Sequence, residues 1–340
     1  MKITFFKSAY VVILTTMTLI LIHYAGQVYR GGHGWKTGDW LINYSDGLIR
    51  RGFIGEFSMQ LGLYSGIGVK WTVFAIQAIT FGCFVYFVLK EFSKYKKTRN
   101  SALLLLSPAF AFMFWVNSNA SVFRKELLVY LVLILFLKAF SQPRVSYLNY
   151  CSGVALFLVT GLSHEIAIFA LPFLFFCIWD WMVSNKMTYR IPAWLAAPLV
   201  IASVLILYVA LYYKGSFNSM QVICDSLNGQ GFRDNICGGA INWLQYDANY
   251  GYQEVLKHGP AFWLNYAFLA LVTFAPLVVL RIDRTIWLLI VGSFIWMLPL
   301  FIVAVDYGRF ISVLFTCTVL ILIWNRPIAI NHAARWSLLA

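Results

Sequence analysis

Residues 147–183, YLNYCSGVALFLVTGLSHEIAIFALPFLFFCIWDWMV, form an apolar run that is broken only by the tripeptide Ser163-His164-Glu165. A helix rises about 1.5 Å per residue and the hydrocarbon core of a bilayer is about 30 Å thick, so about 20 apolar residues make one crossing. The run is too long for a single crossing. We therefore interpret it as two short helices on either side of the tripeptide, rather than as one bent element.

Similar runs occur along the whole chain, which is 61% hydrophobic and 11% charged. One soluble core could not hide this much apolar surface, so we expect lipid to be the solvent. Backbone groups in lipid must be satisfied internally, which favours helices. The sequence predicts an all-α transmembrane bundle in a single domain, 1–340, with about ten spans: 9–29, 71–89, 101–118, 124–140, 147–163, 166–183, 195–213, 261–280, 286–305 and 310–324.

The distribution of charge predicts which side of the membrane each connection faces. With the N-terminus in the cytoplasm, the cytoplasmic segments hold 15 of the 26 Lys and Arg but 3 of the 13 acids, a net charge of +12. The opposite face holds the other 11 bases against 10 acids. This division follows the orientation rule for short loops, so the net charge of the chain does not call for a nucleic acid partner. We expect both termini inside, with the first apolar run as an anchor and not a cleaved signal.

Two connections are long, 30–70 and 214–260, and both are expected on the outer, periplasmic side. The first opens with glycine-rich sequence from Arg30 to Gly34 and continues with residues suited to helices at the interface. The second contains Cys224 and Cys237, which an oxidising compartment would allow to form a disulfide. Two free thiols are the alternative.

Four short polar clusters fall at the outer ends of different predicted spans. Each combines basic and acidic residues, and a cation at this face needs a reason because the orientation rule tends to leave it poor in cations. The clusters are Asp46 to Glu56 with Arg50 and Arg51, then Arg124-Lys125-Glu126, then His164-Glu165, and last Asp306 to Arg309.

The basic members of these clusters are candidate phosphate ligands. The planar fork of arginine grips phosphate oxygens through two hydrogen bonds, and several such groups can stabilise a leaving diphosphate. The candidates are Arg50, Arg51, Arg124, Lys125 and Arg309. The alternative is a structural network in which they pair with Asp46, Glu56, Glu126, Glu165 and Asp306, or a site for anionic lipid headgroups.

Three residues are candidates for acid–base chemistry. His164 titrates near neutral pH, and the neighbouring Glu165 can steer that titration. Asp46 lies close in sequence to Arg50 and Arg51, and its carboxylate could deprotonate an attacking hydroxyl. Asp39 and Asp46 together give a weak signal for a divalent ion, so we expect no metal and no cofactor.

The Asp-Gly-x-x-Arg-Arg-Gly-x-x-Gly-Glu pattern at 46–56, together with the other three clusters, resembles bacterial polytopic envelope-polysaccharide proteins. These include O-antigen and capsule repeat-unit polymerases and the wider GT-C class of polyprenyl-dependent glycosyltransferases. The resemblance implies an inner-membrane enzyme that takes a sugar from a polyprenyl phosphate or diphosphate at the periplasmic face. Its partners would be the lipid-linked sugar, a glycan acceptor and, for a polymerase, a regulator of chain length.

Other classes of function remain open. A single-sugar GT-C transferase fits a long first outer loop with an acidic residue, whereas many polymerases have their signature arginines in later loops. A transporter or flippase for a lipid-linked anion would also need outer arginines, but it should have pseudo-symmetric halves and polar sites near the midplane. A membrane acyltransferase using His164 and a purely structural subunit are further alternatives.

The predicted orientation can be tested by labelling. A cysteine placed at Gly47, in a background without the membrane cysteines, should react with an impermeant maleimide in intact cells. A cysteine at Lys94 should react only after the membrane is permeabilised. Labelling of Gly47→Cys from the cytoplasmic side alone would reverse the orientation.

Overall fold

A computed structural model describes residues 2–94, 104–187, 191–280 and 282–324, and these residues form helices and turns with no β-strand. Thirteen α-helices are described. They are α1 (Lys2–Tyr29), α2 (Phe53–Tyr64), α3 (Val69–Lys94), α4 (Ala111–Asn117), α5 (Glu126–Phe140), α6 (Tyr147–Ser163), α7 (Leu171–Ser184), α8 (Ala193–Tyr212), α9 (Phe217–Ser226), α10 (Ala248–Leu256), α11 (Pro260–Val279), α12 (Arg284–Val303) and α13 (Tyr307–Trp324).

Seven helical stretches of the described chain are long and apolar enough to cross a membrane by length and composition. They are α1, α3, α8, α11, α12, α13 and the continuous stretch Glu165–Ser184, in which a 3₁₀ segment leads into α7. They coincide with seven of the ten predicted spans and indicate a multi-pass membrane protein. The other three predicted regions contain shorter helices, α4, α5 and α6, of 7, 15 and 17 residues. The count of ten spans therefore stays a prediction.

The inward placement of both termini also stays a prediction. Several of the basic residues that contribute to the charge division lie outside the described residues, namely Lys96, Lys97, Arg99, Arg190 and Arg281.

The apolar run at 147–183 is divided as predicted. Helix α6 ends at Ser163, and His164 adopts an extended backbone with φ −165° and ψ 117°. A short 3₁₀ segment, Glu165–Ala170, then leads into α7. The prediction of two elements instead of one bent helix is confirmed.

Helices α5 and α13 form the centre of the bundle and are buried along almost their whole lengths. Helix α5 packs against α3, α6, α7 and α13. Because protein and not lipid covers α5, its 15 residues need not match the thickness of a bilayer. Arg309 at the start of α13 forms an ion pair with Glu126 at the start of α5, so the two N-termini lie at the same end.

The two long connections fold together into one unit, which we call the cap: 30–68, between α1 and α3, and 213–259, between α8 and α11. Trp40 and Ile54 from the first connection share a hydrophobic core with Ile223 and Ile241 from the second. The expectation that the first connection lies at the interface is therefore wrong for its centre, where residues 38–43 are buried. Apolar contacts with the second connection cover this segment in place of headgroups.

The cap is tied to the bundle by buried hydrogen bonds around Gln77 of α3. The Tyr24 hydroxyl donates to Gln77 Oε1 at 2.7 Å, and Gln77 Nε2 donates to the carbonyl oxygens of Lys36 and Phe123, both at 2.9 Å. Trp40 Nε1 also donates to the Phe123 carbonyl, at 2.7 Å. These bonds fix the first connection against α1, α3 and the segment before α5.

At Gly55, α2 packs directly on the backbone of Ile42, which lies earlier in the first connection. A Cβ atom there would overlap the carbonyl oxygen of the fully buried Ile42. Gly55→Ala should lower the free energy of unfolding by about 1–3 kcal/mol, because overpacking at a backbone contact outweighs the gain in helix propensity. Thermal unfolding in detergent measures the effect. The control is Gly82→Ala in α3, where a Cβ meets nothing within 4 Å; destabilisation of both variants alike would contradict the prediction.

Candidate functional site

The four polar segments singled out in the sequence meet at the end of the bundle where α5 and α13 begin. The first connection of the cap supplies arginines, the starts of α5 and α13 supply bases and acids, and the break between α6 and α7 supplies a histidine and a carboxylate. We call the assembly the polar cluster. Its members are Asp39, Arg50, Arg51, Arg124, Lys125, Glu126, His164, Glu165, Asp306 and Arg309.

Arg51 and Glu165 form a two-point ion pair. Arg51 Nε donates to Glu165 Oε2 at 2.7 Å and Arg51 Nη2 donates to Oε1 at 2.9 Å. The Arg51 backbone has φ 67°, a left-handed conformation that is uncommon for residues other than glycine. Arg50 Nη1 lies 3.8 Å from Glu165 Oε1, and its Nη2 donates to the carbonyl of Tyr246 in the second connection of the cap, at 3.2 Å. One carboxylate thus orients both arginines.

Lys125 joins three segments through its ammonium group. Lys125 Nζ donates to the carbonyl oxygens of Arg51 and Ser163, each at 2.9 Å, and the residue is fully buried. Since this ammonium is engaged with backbone carbonyls, its described role is to hold the site together, and not the phosphate contact expected from the sequence.

Glu126 lies between Arg309 and His164. Arg309 Nη2 forms an ion pair with Glu126 Oε1, and Arg309 Nη1 donates to Asp306 Oδ2 at 2.6 Å. His164 Nε2 lies 3.9 Å from Glu126 Oε1, and its Nδ1 lies 3.6 Å from Glu165 Oε2. His164 thus lies between the Arg309–Glu126 pair and the Arg51–Glu165 pair.

Asp39 is a fully buried carboxylate on the cap side of the cluster. Its Oδ2 lies 3.7 Å from Arg124 Nε and accepts from the backbone N–H of Lys125 at 3.4 Å. Burial alone would raise the pKa of Asp39, but Lys125 and Arg124 hold it well below its usual range. Within the described residues its Oδ1 has no hydrogen-bond partner. This oxygen is therefore a desolvated acceptor at the heart of the site.

From the sequence we expect Asp39 only as a weak metal ligand, and its place in the cluster is not predicted. The available signal was the segment WKTGDW, residues 35–40, where a carboxylate lies between tryptophans. Trp35 carries the guanidinium of Arg124 over its ring, with the carbon 5.3 Å from the ring centroid. The flanking aromatic residues thus mark a buried acid, and spacing alone did not distinguish this from a surface loop.

Asp46 and Glu56, by contrast, do not contact the cluster in the described structure. Asp46 is exposed on a turn, and its Oδ1 accepts from Asn218 Nδ2 at 3.3 Å. The backbone N–H of Gly47 donates to the Tyr44 carbonyl at 2.9 Å, and this turn directs the segment to the surface. Glu56 accepts from the Tyr44 N–H at 2.9 Å and from a neighbouring glutamine. We therefore withdraw Asp46 as a base and Glu56 as a support of the arginines.

Arg51, Arg124 and Arg309, three of the candidate phosphate ligands, lie in one cluster, but each is paired with a carboxylate. The five cations Arg50, Arg51, Arg124, Lys125 and Arg309 face the four carboxylates Asp39, Glu126, Glu165 and Asp306. The Nε atoms of Arg50, Arg124 and Arg309 have no hydrogen-bond partner among the described residues. An incoming anion would have to compete with these carboxylates for guanidinium groups that are already oriented.

Within the described part of the chain, no group of three or more His, Cys, Asp or Glu side chains is arranged to hold a metal ion. Cys224 and Cys237 are joined by a disulfide in the second connection of the cap, away from the polar cluster.

No protein-family model, curated protein or solved structure matches the chain. We therefore infer the function from the chemistry of the cluster.

Single and double variants distinguish the cost of an unpaired buried charge at the Glu126–Arg309 pair from a general loss of the fold. Glu126→Gln should lower the free energy of unfolding by roughly 3 kcal/mol, because it leaves a buried guanidinium poorly compensated. The double variant Glu126→Leu/Arg309→Met should recover most of this loss, since it removes both charges. Thermal unfolding in detergent measures both.

Glu254→Gln is the control, because it breaks the exposed pair of Glu254 and Lys257 and should change stability little. Equal losses in the buried and exposed variants would contradict a desolvated pair.

Proposed function

We propose that this protein is a membrane glycosyltransferase that takes a sugar from a polyprenyl phosphate or diphosphate and transfers it to a glycan acceptor. The observation that carries the proposal is the polar cluster, in which five cations and four carboxylates gather at the starts of two central helices. Assembly of a bacterial O-antigen or capsule by repeat-unit polymerisation, at the periplasmic face of the inner membrane, is the version we favour.

The cluster has the groups needed to stabilise a phosphate leaving group. Arginine forks bind phosphate oxygens more strongly than neutral donors do, and oriented cations stabilise charge as it develops. The N-termini of α5 and α13 lie in the same place, and each adds the partial positive charge of a helix dipole. Arg51, Arg124 and Arg309 are the residues we propose for the phosphate, with Arg50 in support.

In the proposed reaction the acceptor hydroxyl attacks the anomeric carbon of the donor sugar. The bond from that carbon to the phosphate oxygen breaks, its electron pair leaves with the phosphate or diphosphate, and the hydroxyl proton passes to a base. His164 lies between Glu126 and Glu165, with its ring nitrogens 3.9 and 3.6 Å from their carboxylate oxygens, and its imidazole can accept this proton. Glu165 is engaged by Arg51 at both oxygens, which makes it a positioning residue.

Asp39 is not proposed as the base, although its Oδ1 has no hydrogen-bond partner among the described residues. Burial alone would raise the pKa of Asp39, but Lys125 and Arg124 hold it well below its usual range, so this carboxylate is a weak base.

The surface of α2 supports a donor with a lipid tail. Phe53, Phe57 and Leu61 are exposed and lie one turn apart along the helix. This apolar stripe begins two residues after Arg51, so a donor whose phosphate meets Arg51 can lay its hydrocarbon chain along α2. A single-sugar transferase would use the same arrangement. A transporter gains no support from it, because the charges lie at helix ends.

Arg51→Lys and His164→Gln test the proposal. Each should lower the rate of sugar transfer from a polyprenyl diphosphate donor by on the order of a hundredfold or more, since a point charge cannot replace the two-point fork and an amide cannot take the proton. The assay is transfer of radiolabelled sugar by purified protein in nanodiscs. A gel of surface polysaccharide from cells lacking the gene, complemented with each variant, distinguishes single repeats from a missing branch sugar.

Two further variants serve as comparisons for the transfer assay. Lys257→Gln removes an exposed cation outside the cluster and should leave transfer unchanged. Glu126→Leu/Arg309→Met should fold yet be inactive. Full activity of that double variant would mean that the pair is structural, and undiminished transfer by His164→Gln would exclude His164 as the base.

A further inference from the structure

A cavity of about 430 Å³ lies in the cap, outside the polar cluster. It is lined by the end of α1, the glycine-rich segment of the first connection and the segment of the second connection around the disulfide. Its volume is within the range of small-ligand sites. The proposed transfer reaction makes no use of this cavity or of the glycine-rich segment.

The cavity exists because the two connections of the cap approach each other backbone to backbone. The Arg233 N–H donates to the Gly31 carbonyl and the Ala240 N–H donates to the Gly34 carbonyl, both at 3.1 Å. A Cβ on Gly239 would overlap the backbone of Gly34. Glycine is therefore required at this contact, and the cavity results from defined backbone contacts within the cap.

The lining of the cavity is basic. Arg30 comes from the end of α1 and Arg233 from the second connection, both exposed, and no Asp or Glu lines the cavity among the described residues. Neither arginine has a carboxylate partner within the described part of the chain. An anion in the cavity would thus find two guanidinium groups that are not already neutralised, unlike those of the polar cluster.

Further positive charge lies directly behind the lining. Lys36 Nζ is held by the amide oxygens of Gln27 and Asn119, at 2.9 and 2.7 Å, with no carboxylate among its described partners. Burial lowers the pKa of Lys36 to about 8, so the ammonium remains largely charged at pH 7. Arg124 also lies on the ring of Trp35, which itself lines the cavity, but Asp39 compensates the charge of Arg124. Arg30, Arg233 and Lys36 therefore make the field inside the cavity positive.

His33 adds a neutral donor to the lining. Its Nδ1 accepts from the backbone N–H groups of Trp35 and Lys36, at 3.1 and 3.4 Å, which leaves the proton on Nε2. Burial first, and then the charges of Lys36 and Arg124, lower the pKa of His33. The imidazole is thus neutral near pH 7 and can donate a hydrogen bond without a charge of its own.

We propose that this cavity is an oxyanion-binding site that takes a phosphate or carboxylate group through Arg30 and Arg233, with the ring of Trp35 as the wall for an attached sugar. An aromatic wall beside hydrogen-bond donors suits the apolar face of a sugar ring. The group can come from a soluble acidic sugar or from a lipid headgroup, because Arg30 lies just beyond a helix able to span the membrane. The site does not depend on the proposed transferase function, since none of the cluster's cations lines it.

Isothermal titration calorimetry of the full chain in phosphatidylcholine nanodiscs, at constant ionic strength, tests the site. The probes are inorganic phosphate and glucuronate, with glucose as the neutral comparison. Wild-type protein should bind both anions, and glucose at least tenfold more weakly. Arg30→Gln/Arg233→Gln should weaken anion binding at least tenfold, whereas Lys257→Gln, which removes an exposed cation from the same second connection, should not.

Nanodiscs containing phosphatidylglycerol distinguish the two sources. If the anionic lipid weakens phosphate binding tenfold in wild-type protein but not in the double variant, the site takes a headgroup. If it has no effect, the site takes a soluble anion, and either result supports the proposal. Equal affinity in the wild-type protein and Arg30→Gln/Arg233→Gln, or an equal loss in Lys257→Gln, would overturn it. Unchanged thermal unfolding of the double variant shows that a loss of binding is not a loss of fold.

Discussion

The buried ammonium of Lys125 is the contact on which the rest of the site depends. A polytopic chain cannot leave carbonyl oxygens unsatisfied in an apolar interior, yet the end of α6 and the left-handed turn at Arg51 both leave one. Lys125 Nζ supplies a donor to each, at 2.9 Å, and so allows the helix to stop and the chain to turn. Once these two backbones are held together, Glu165 lies within reach of Arg51, and the remaining ion pairs follow around them.

The balance of charge in the cluster explains why so many ionisable groups can be buried together. An isolated buried guanidinium would cost folding free energy, whereas alternating cations and carboxylates compensate one another, so each group can stay ionised. The arrangement also orients the side chains before any ligand arrives. A phosphate that displaces a carboxylate from Arg51 or Arg124 would find donors already aimed, so little side-chain freedom remains to be lost on binding.

The sequence could predict much of this assembly, and its failures have physical causes. Runs of apolar residues placed seven long helices correctly, and polar residues at the ends of those runs identified most of the cluster. Helix α5 lies within the predicted span 124–140, but its 15 residues are fewer than a lipid-exposed span needs, because protein surrounds it and lipid does not. Asp46 and Asp39 are seven positions apart in one connection, and a local turn exposes the first while a shared core with a distant connection buries the second. A pattern within one segment cannot reveal that partnership.

The distances along the chain between paired residues set an order for the protein's biogenesis. The partner of Arg51 is Glu165, which is synthesised 114 residues later. The hydrogen bond between Trp40 of the cap and the α5 region needs Phe123. Glu126 meets Arg309 only when the last described helix has entered the bilayer. A nascent chain emerging from the insertion machinery therefore carries uncompensated charges at the ends of its early helices until α13 has been made. Products truncated before α13 would expose those charges to membrane quality control, whereas a chain that includes α13 buries them.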